Sequence, residues 1–296
     1  MGRGMGRKRG LEYRSLIMAA LLIASSLTAP VLVAEAVRSS NPNIIIIYAD
    51  DLGYGDLSCY NAKCVYSTPR LDQMAREGVR FTDAHSPSTL CSPSRYGLFS
   101  GQQIYRSTGR GGVAFEGPGG PSFLKPATPV FPAAEFRGAT QAGPRGDFVF
   151  ELDALVGRVI DLVKELEIDD NTLILFNSDN GPETVHVDWM RSDFQHDPCG
   201  GWRGMKRDGW EGGHRVPFIA RWPKHIPASV VSKQMTNTTD IFATLASVVG
   251  FELPDDTARD SFDMLPVMLG VQDESQSIRP LLVPLYHRKP STRIIP

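Results

Sequence analysis

Apolar residues along the chain fall into two repeating patterns. Short unbroken runs, NIIIIYADD (Asn43 to Asp51) and TLILFNSDNG (Thr172 to Gly181), each end abruptly in acidic and amide side chains. A β-branched run without alternation predicts a strand buried on both faces, as in parallel sheets. VRFTDAHS and VPFIARWP predict two further strands. Elsewhere the spacing is helical. TPRLDQMAREG, Thr68 to Gly78, has Thr68 to cap, Pro69 for the first turn and Gly78 for the stop. From Asp147 to Leu166, the residues Phe148, Leu152, Leu155, Val156, Val159, Ile160 and Val163 recur on one helical face, and Thr239 to Gly250 predicts another amphipathic helix. Strands alternating with helices predict an α/β layered domain whose central sheet is largely parallel and flanked by helices.

Two segments depart from this. Gly101 to Gly146 is crowded with Gly and Pro and predicts neither helix nor strand. An irregular stretch of that length is uncommon inside a compact domain. It reads as a functional lid, a disordered insert, or a junction where folded sequence is missing. At the other departure, Arg3, Arg7, Lys8 and Arg9 precede LIMAALLIASSLTAPVLVA, with small residues at Ala34 and Ala36. A basic head, an interrupted apolar middle and an A-x-A pattern predict a signal peptide over residues 1–36, cleaved after Ala36. The alternative is an uncleaved membrane anchor. Cleavage leaves a domain over residues 37–296, exported to the periplasm or outside the cell, with no stable membrane insertion.

Composition narrows the classes. The 296 residues are 42% hydrophobic and 22% charged, with a formal net charge of −2. Such a balance lacks the basic stripes of a dedicated nucleic-acid binder. There are four cysteines, Cys59, Cys64, Cys91 and Cys199. Export permits disulfides, and Cys59 could pair with Cys64 across a short loop, but the spacing is not that of a zinc site.

The candidate chemistry lies at the strand ends. In open α/β sheets, ligands bind beyond the carboxyl ends of the strands. One acidic pair there is commonly a turn or a cap. If the strands ending in Asp50-Asp51 and Asp179-Asn180 are neighbours, however, three carboxylates and an amide oxygen meet. Such a set needs a cation, and hard oxygen ligands suit Ca²⁺ or Mg²⁺.

A third motif joins these two. In LCSPSRYGLFSG, Cys91 stands among Ser and Pro, with Arg95 four positions on and a short apolar helix following. Cys91-Ser92-Pro93-Ser94-Arg95, with Leu98, Ser100 and Gly101, resembles the signature of the sulfatase family. IIYADDLGYGDL, STPRLDQMAREGVRFTDAHS, TLILFNSDNGPE and GGWRGMKRDGWEGGHRVPFIARWP look like successive blocks of that family, in its order, and are most similar to the arylsulfatase A type.

The resemblance implies an alkaline-phosphatase-like sandwich and a sulfuric ester hydrolase. It implies that a formylglycine-generating enzyme oxidises Cys91, and that the hydrated aldehyde is the nucleophile. It further implies metal ligation by Asp50, Asp51, Asp179, Asn180 and the oxygen derived from Cys91, with calcium the usual ion and magnesium the second choice. Arg95 would hold the aldehyde hydrate and Lys206 a sulfate oxygen. The substrate would be a small-molecule or saccharide sulfate ester. Sulfuryl transfer spreads charge over equatorial oxygens, so fixed cations aimed there favour the transition state. A helix beginning at Cys91 would add its positive end.

The chain also departs from the family. It has no K-W-H-L-G element with its lysine-histidine pair, and in KPATPVFP the residue Ala127 stands where the family has a histidine. A central segment and the smaller C-terminal subdomain are expected to be missing, with the junction inside 101–146. Proton transfer of the affected kind contributes about 10²–10⁴-fold, so impaired turnover is expected. Two alternatives stay open: a non-catalytic metal- or sulfate-binding remnant or misassembled product, and a phosphoester hydrolase of the same superfamily, against which C-S-P-S-R argues. No catalytic role is assigned to His85, His186, His196 or His214.

Overall fold

The computed structural model describes residues 41–106, 131–282 and 284. The predicted signal segment and Ala127 lie outside these residues. Strands β1 (Asn43–Ala49), β2 (Val79–Phe81), β4 (Thr172–Ser178), β5 (Phe218–Arg221) and β6 (Val230–Ser232) form one sheet in the order β1-β4-β5-β2-β6. Strand β5 is antiparallel to both its neighbours, while the β1–β4 and β2–β6 pairs are parallel. Four of the five strands therefore run one way, and the expected α/β class with a largely parallel sheet holds. Strands β3 (Ala84–His85) and β7 (Thr236–Asn237) make a second, two-stranded parallel sheet.

The helices are α1 (Pro69–Arg76), α2 (Cys91–Ser100), α3 (Gly143–Glu165), α4 (Thr184–Phe194), α5 (Glu211–His214), α6 (Asp240–Val248) and α7 (Leu265–Met268). They cover both faces of the sheet, because the pleat sends successive residues to opposite sides. Leu173 and Leu175 of β4, with Phe218 and Ala220 of β5, pack against Ile241, Val248 and Leu265 from α6 and α7. Ile174, Phe176 and Ile219 face the other way, onto Leu71 and Met74 of α1 and Val156, Ile160 and Val163 of α3. Each such fully buried aliphatic or aromatic side chain stabilises the fold by about 1.5–3 kcal/mol.

Four expectations are corrected. VRFTDAHS is not one strand: it breaks after Phe81, β2 staying in the large sheet and β3 crossing to the small one. Thr82 N–H still donates to Ser232 O at 2.9 Å, whereas Ala84 is already opposite Thr236. The long helix starts at Gly143 rather than Asp147, because Pro144 suits a first turn. The Asp147 carboxylate then accepts the N–H groups of Gly138 and Thr140 at 2.7 and 2.8 Å, so part of the stretch read as irregular is tied down.

Strand β1 is not buried on both faces: it has only β4 beside it among the described residues, and Ile46 is 36% exposed. Strand β4, with neighbours on both sides, is buried throughout. The four cysteines are all free, one of the two states the sequence leaves open for Cys59 and Cys64. Helix α4 had no counterpart in the sequence reading, since its buried residues, His186, Val187 and Met190, make too short a pattern.

Within α3, Ile160 is fully buried and Leu162 is 52% exposed. Ile160→Ala is expected to cost about 2–5 kcal/mol and Leu162→Ala less than about 0.5 kcal/mol, read from urea-unfolding midpoints.

Candidate active site

The parallel register of β1 and β4 sets Ala49 opposite Ser178, so the two acidic strand ends emerge at one level. Asp179 N–H continues the ladder to Ala49 O at 3.1 Å. Asp51 then turns back with φ 58°, a left-handed conformation that aspartate tolerates better than most residues. Its own N–H donates to Asp179 Oδ1 at 3.1 Å. Asp51, Asp179 and Asn180 are buried, and Asp50 is partly exposed at the rim.

Helix α2 begins at Cys91 and brings the thiol to this cluster. Ligand atoms of Asp50, Cys91 and Asp179 lie within 4.8 Å of one another. Arg95, one turn along the same helical face, places Nη2 at 3.1 Å from Asp179 Oδ2 and 3.7 Å from Asp50 Oδ2. Its guanidinium also sits 5.7 Å from the centroid of the Tyr48 ring. Gly101 ends α2 at φ 63°, where a Cβ would come within 2.5 Å of the Ala258 Cβ.

Lys206 pairs with Asp51 Oδ1. Two backbone bonds hold its loop against β4's exit: Lys206 N–H to Pro182 O at 3.0 Å and Gly181 N–H to Gly213 O at 2.9 Å. Gly181 is required for this approach, since a Cβ would stand 1.9 Å from Gly212 O. All seven residues singled out in the sequence thus lie in one neighbourhood.

Electrostatics sharpen the picture. Burial, followed by the nearby Asp50 and Asp51 carboxylates, raises the Asp179 pKa well above the usual range. Burial and Asp179 also raise the Cys91 thiol. A nucleophilic cysteine needs an electropositive setting that favours thiolate; this thiol is held protonated. Burial lowers the Lys206 pKa, but Asp51 outweighs it and the net shift is upward, so the ammonium stays charged. Asn180 donates from Nδ2 to Asp51 Oδ1 at 2.7 Å and to Gly181 O at 2.8 Å, which leaves its Oδ1 buried with no hydrogen-bond partner. An unsatisfied buried oxygen among carboxylates fits a cation ligand.

Several contributors were not singled out in the sequence. Glu183 pairs with Arg207 and lies 3.6 Å from Lys206 Nζ. Buried Arg145 donates to Asp51 O at 2.9 Å and to Asp56 Oδ2 at 2.7 Å. Burial acts to raise Asp56, but Arg145 and His196 overcome it and hold its carboxyl low. Asp56 and Glu183 stand inside the quoted blocks and could have been found there. Arg145 sits in the Gly/Pro-rich stretch, and no periodicity marks a buried arginine. A cavity of about 340 Å³ opens beside Asp50, walled by Tyr48, Phe136, Phe148 and Leu152, with Arg145 and Arg158 at its polar edge.

The sequence model of the sulfatase family matches residues 42–122 and 125–251. The chain belongs to the sulfatase family. Human arylsulfatase A is 28% identical over 358 residues, covering 77% of this chain and 68% of the relative. An N-acetylgalactosamine-6-O-sulfatase from Bacteroides thetaiotaomicron is 25% identical, covering 79% and 77%. In fold, the chain is similar to a sulfatase from Pseudoalteromonas sp., with a TM-score of 0.70, 22% identity and coverage of 86% and 77%. A phosphonate monoester hydrolase of Agrobacterium radiobacter follows at a TM-score of 0.55 and 16% identity, covering 79% and 78%. The alignment with human arylsulfatase A is far longer than the share of this sulfatase chain that it engages, so more than a hundred of its positions have no counterpart here.

One consequence concerns pH. A carboxyl whose folded pKa is raised leaves stability intact below its unfolded pKa, near 3.9, and removes it as the pH rises through the raised value. With chelator present, Asp179→Asn is therefore expected to raise the melting temperature at about pH 7 and to flatten its decline with rising pH, read by thermal scans across the acid-to-neutral range.

Proposed function

We propose that this chain is a sulfuric ester hydrolase of the arylsulfatase type, exported from the cell. Its nucleophile is formylglycine made from Cys91, and its turnover is impaired. One observation carries the reading: the Asp50, Cys91 and Asp179 ligand atoms meet within 4.8 Å, flanked by Arg95 and Lys206.

Asp50, Asp51, Asp179 and Asn180, with the oxygen on residue 91, would hold Ca²⁺, or Mg²⁺ in its place. The free Oδ1 of Asn180 supports this, as does an all-oxygen donor set. When bound, the ion supplies positive charge against a sulfate oxygen. Arg95 pairs with Asp179 and Asp50 and would orient the group on residue 91. Lys206, tethered by Asp51 and Glu183, presents its ammonium where charge builds on the sulfate oxygens. The N-terminus of α2 adds backbone N–H groups directed at an anion. A sulfate ester of a small molecule or a sugar is the substrate class this machinery addresses, and the relatives, an arylsulfatase and an N-acetylgalactosamine-6-O-sulfatase, are named for esters of that class.

Impairment rests on the absent lysine-histidine element and on Ala127. A second reading, a metal-binding remnant without turnover, is favoured by β1 having only β4 beside it among the described residues.

Three outcomes are expected. Mass spectrometry of the peptide spanning Cys91, from cells holding the modifying enzyme, shows the aldehyde; an intact thiol there would overturn the nucleophile assignment. Hydrolysis of an activated aryl sulfate by that preparation falls about 10²-fold or more below an intact arylsulfatase. Calcium at a hundredfold excess over its dissociation constant raises stability by about 2.7 kcal/mol, a gain absent from Asp179→Asn and Asp50→Asn.

A further inference from the structure

Away from the Asp50–Asp179 cluster, two buried histidines face each other. His85, on β3, and His214, at the end of α5, are 2% and 4% exposed, and their Nδ1 atoms lie 2.9 Å apart. His85 Nε2 stands 2.9 Å from Asp83 Oδ1. A carboxylate only accepts, so that nitrogen carries a proton; in the neutral ring, Nδ1 is then a lone pair turned toward His214. Glu211, one helical turn before His214, brings Oε2 to 4.0 Å from His85 Nδ1. Arg215 pairs at 2.6 Å with both Glu211 and Asp83. One guanidinium balances one of the two carboxylates, and a negative charge remains beside the imidazoles.

We propose that His85 Nδ1, His214 Nδ1 and the Glu211 carboxylate form a second metal site, selective for Zn²⁺. Two imidazoles and one carboxylate make a three-ligand zinc set with a fourth position open to water. Nitrogen donors of this kind prefer zinc to calcium, which separates this site from the oxygen cluster. Asp83 stands behind His85 as the carboxylate that fixes the tautomer of a ligating imidazole. Burial and the neighbouring His85 push the His214 pKa down to about 4, which keeps its ring neutral and able to ligate near pH 7.

The geometry needs little adjustment. Zinc–nitrogen bonds of about 2.0–2.1 Å place two tetrahedral ligands roughly 3.3 Å apart, so the rings part by roughly half an ångström and Glu211 closes by a similar amount. Glu211 is 38% exposed, which gives the ion a way in.

The position gives the site a structural consequence. His85 leads through Ser86 to the loop that ends at Cys91, and Ser86 N–H donates to His214 O at 2.7 Å. His214 follows Gly213, whose carbonyl holds Gly181 beside Asn180. A bound zinc would staple the strand feeding the thiol to the loop carrying Lys206.

The test uses the purified full chain in saturating Ca²⁺, with Zn²⁺ competed by a chromophoric chelator. One zinc equivalent is expected. His85→Gln and His214→Gln are expected to lower the affinity about 100-fold or more, and Asp83→Asn about 10–100-fold. Asp50→Asn and Asp179→Asn leave zinc affinity unchanged, which keeps this result separate from the sulfatase assignment. Co²⁺ in place of zinc should give the strong visible bands of a four-coordinate ion. If the histidine variants do not fold, Glu211→Gln, at the exposed rim, reports instead through an affinity loss of about tenfold or more. Absence of a zinc equivalent, or full zinc affinity in the folded variants, overturns the proposal.

Discussion

The register between β1 and β4 is the constraint on which the site depends. Seven paired positions, Asn43 with Thr172 through Ala49 with Ser178, bring both strands to their ends together. A slip by one residue would turn each side chain to the opposite face and scatter the acids that follow. The apolar fillers that lock the register, Leu173, Ile174, Leu175 and Phe176, are fully buried and engage both core layers. Packing energy in the sheet thereby holds three mutually repelling carboxylates at one point.

That repulsion shapes what surrounds it. Arg95 and Lys206 each contact a different acid, and each is restrained by a further neighbour, the Tyr48 ring or Glu183. Arg145 holds the Asp51 carbonyl from below, anchored by Asp56 and, through it, by Tyr66 and His196. In a low-dielectric interior such linked polar groups reinforce one another when satisfied and are costly when broken. Asp51 keeps a left-handed backbone within this frame, a strain of about 1–3 kcal/mol that the surrounding bonds must outweigh.

Strand β1 shows the other side of the structure. Its sequence is that of an interior strand, yet only β4 pairs with it among the described residues, and Ile46 meets solvent. An uncharged, isoleucine-rich edge is a template for pairing with another chain. The cavity beside Asp50, walled by Tyr48 and the first turns of α3, lies next to the same strand. These features accompany an alignment in which more than a hundred positions of the relative have no counterpart.

The sequence by itself determined most of the element types, the family and the seven residues that gather beyond the strand ends, because those depend on local patterns and short motifs. It also showed where the pattern failed, in the Gly/Pro-rich stretch. Thr82 and Asp83, where one apparent strand becomes two, carry no local signal, because the break is set by which partner strand is within reach. Arg145 and the His85–His214 pair were equally hidden: their meaning comes from partners 89 and 129 residues away. Only the tertiary structure decides such long-range pairings, since a buried charge or imidazole is defined by what surrounds it and not by its neighbours along the chain.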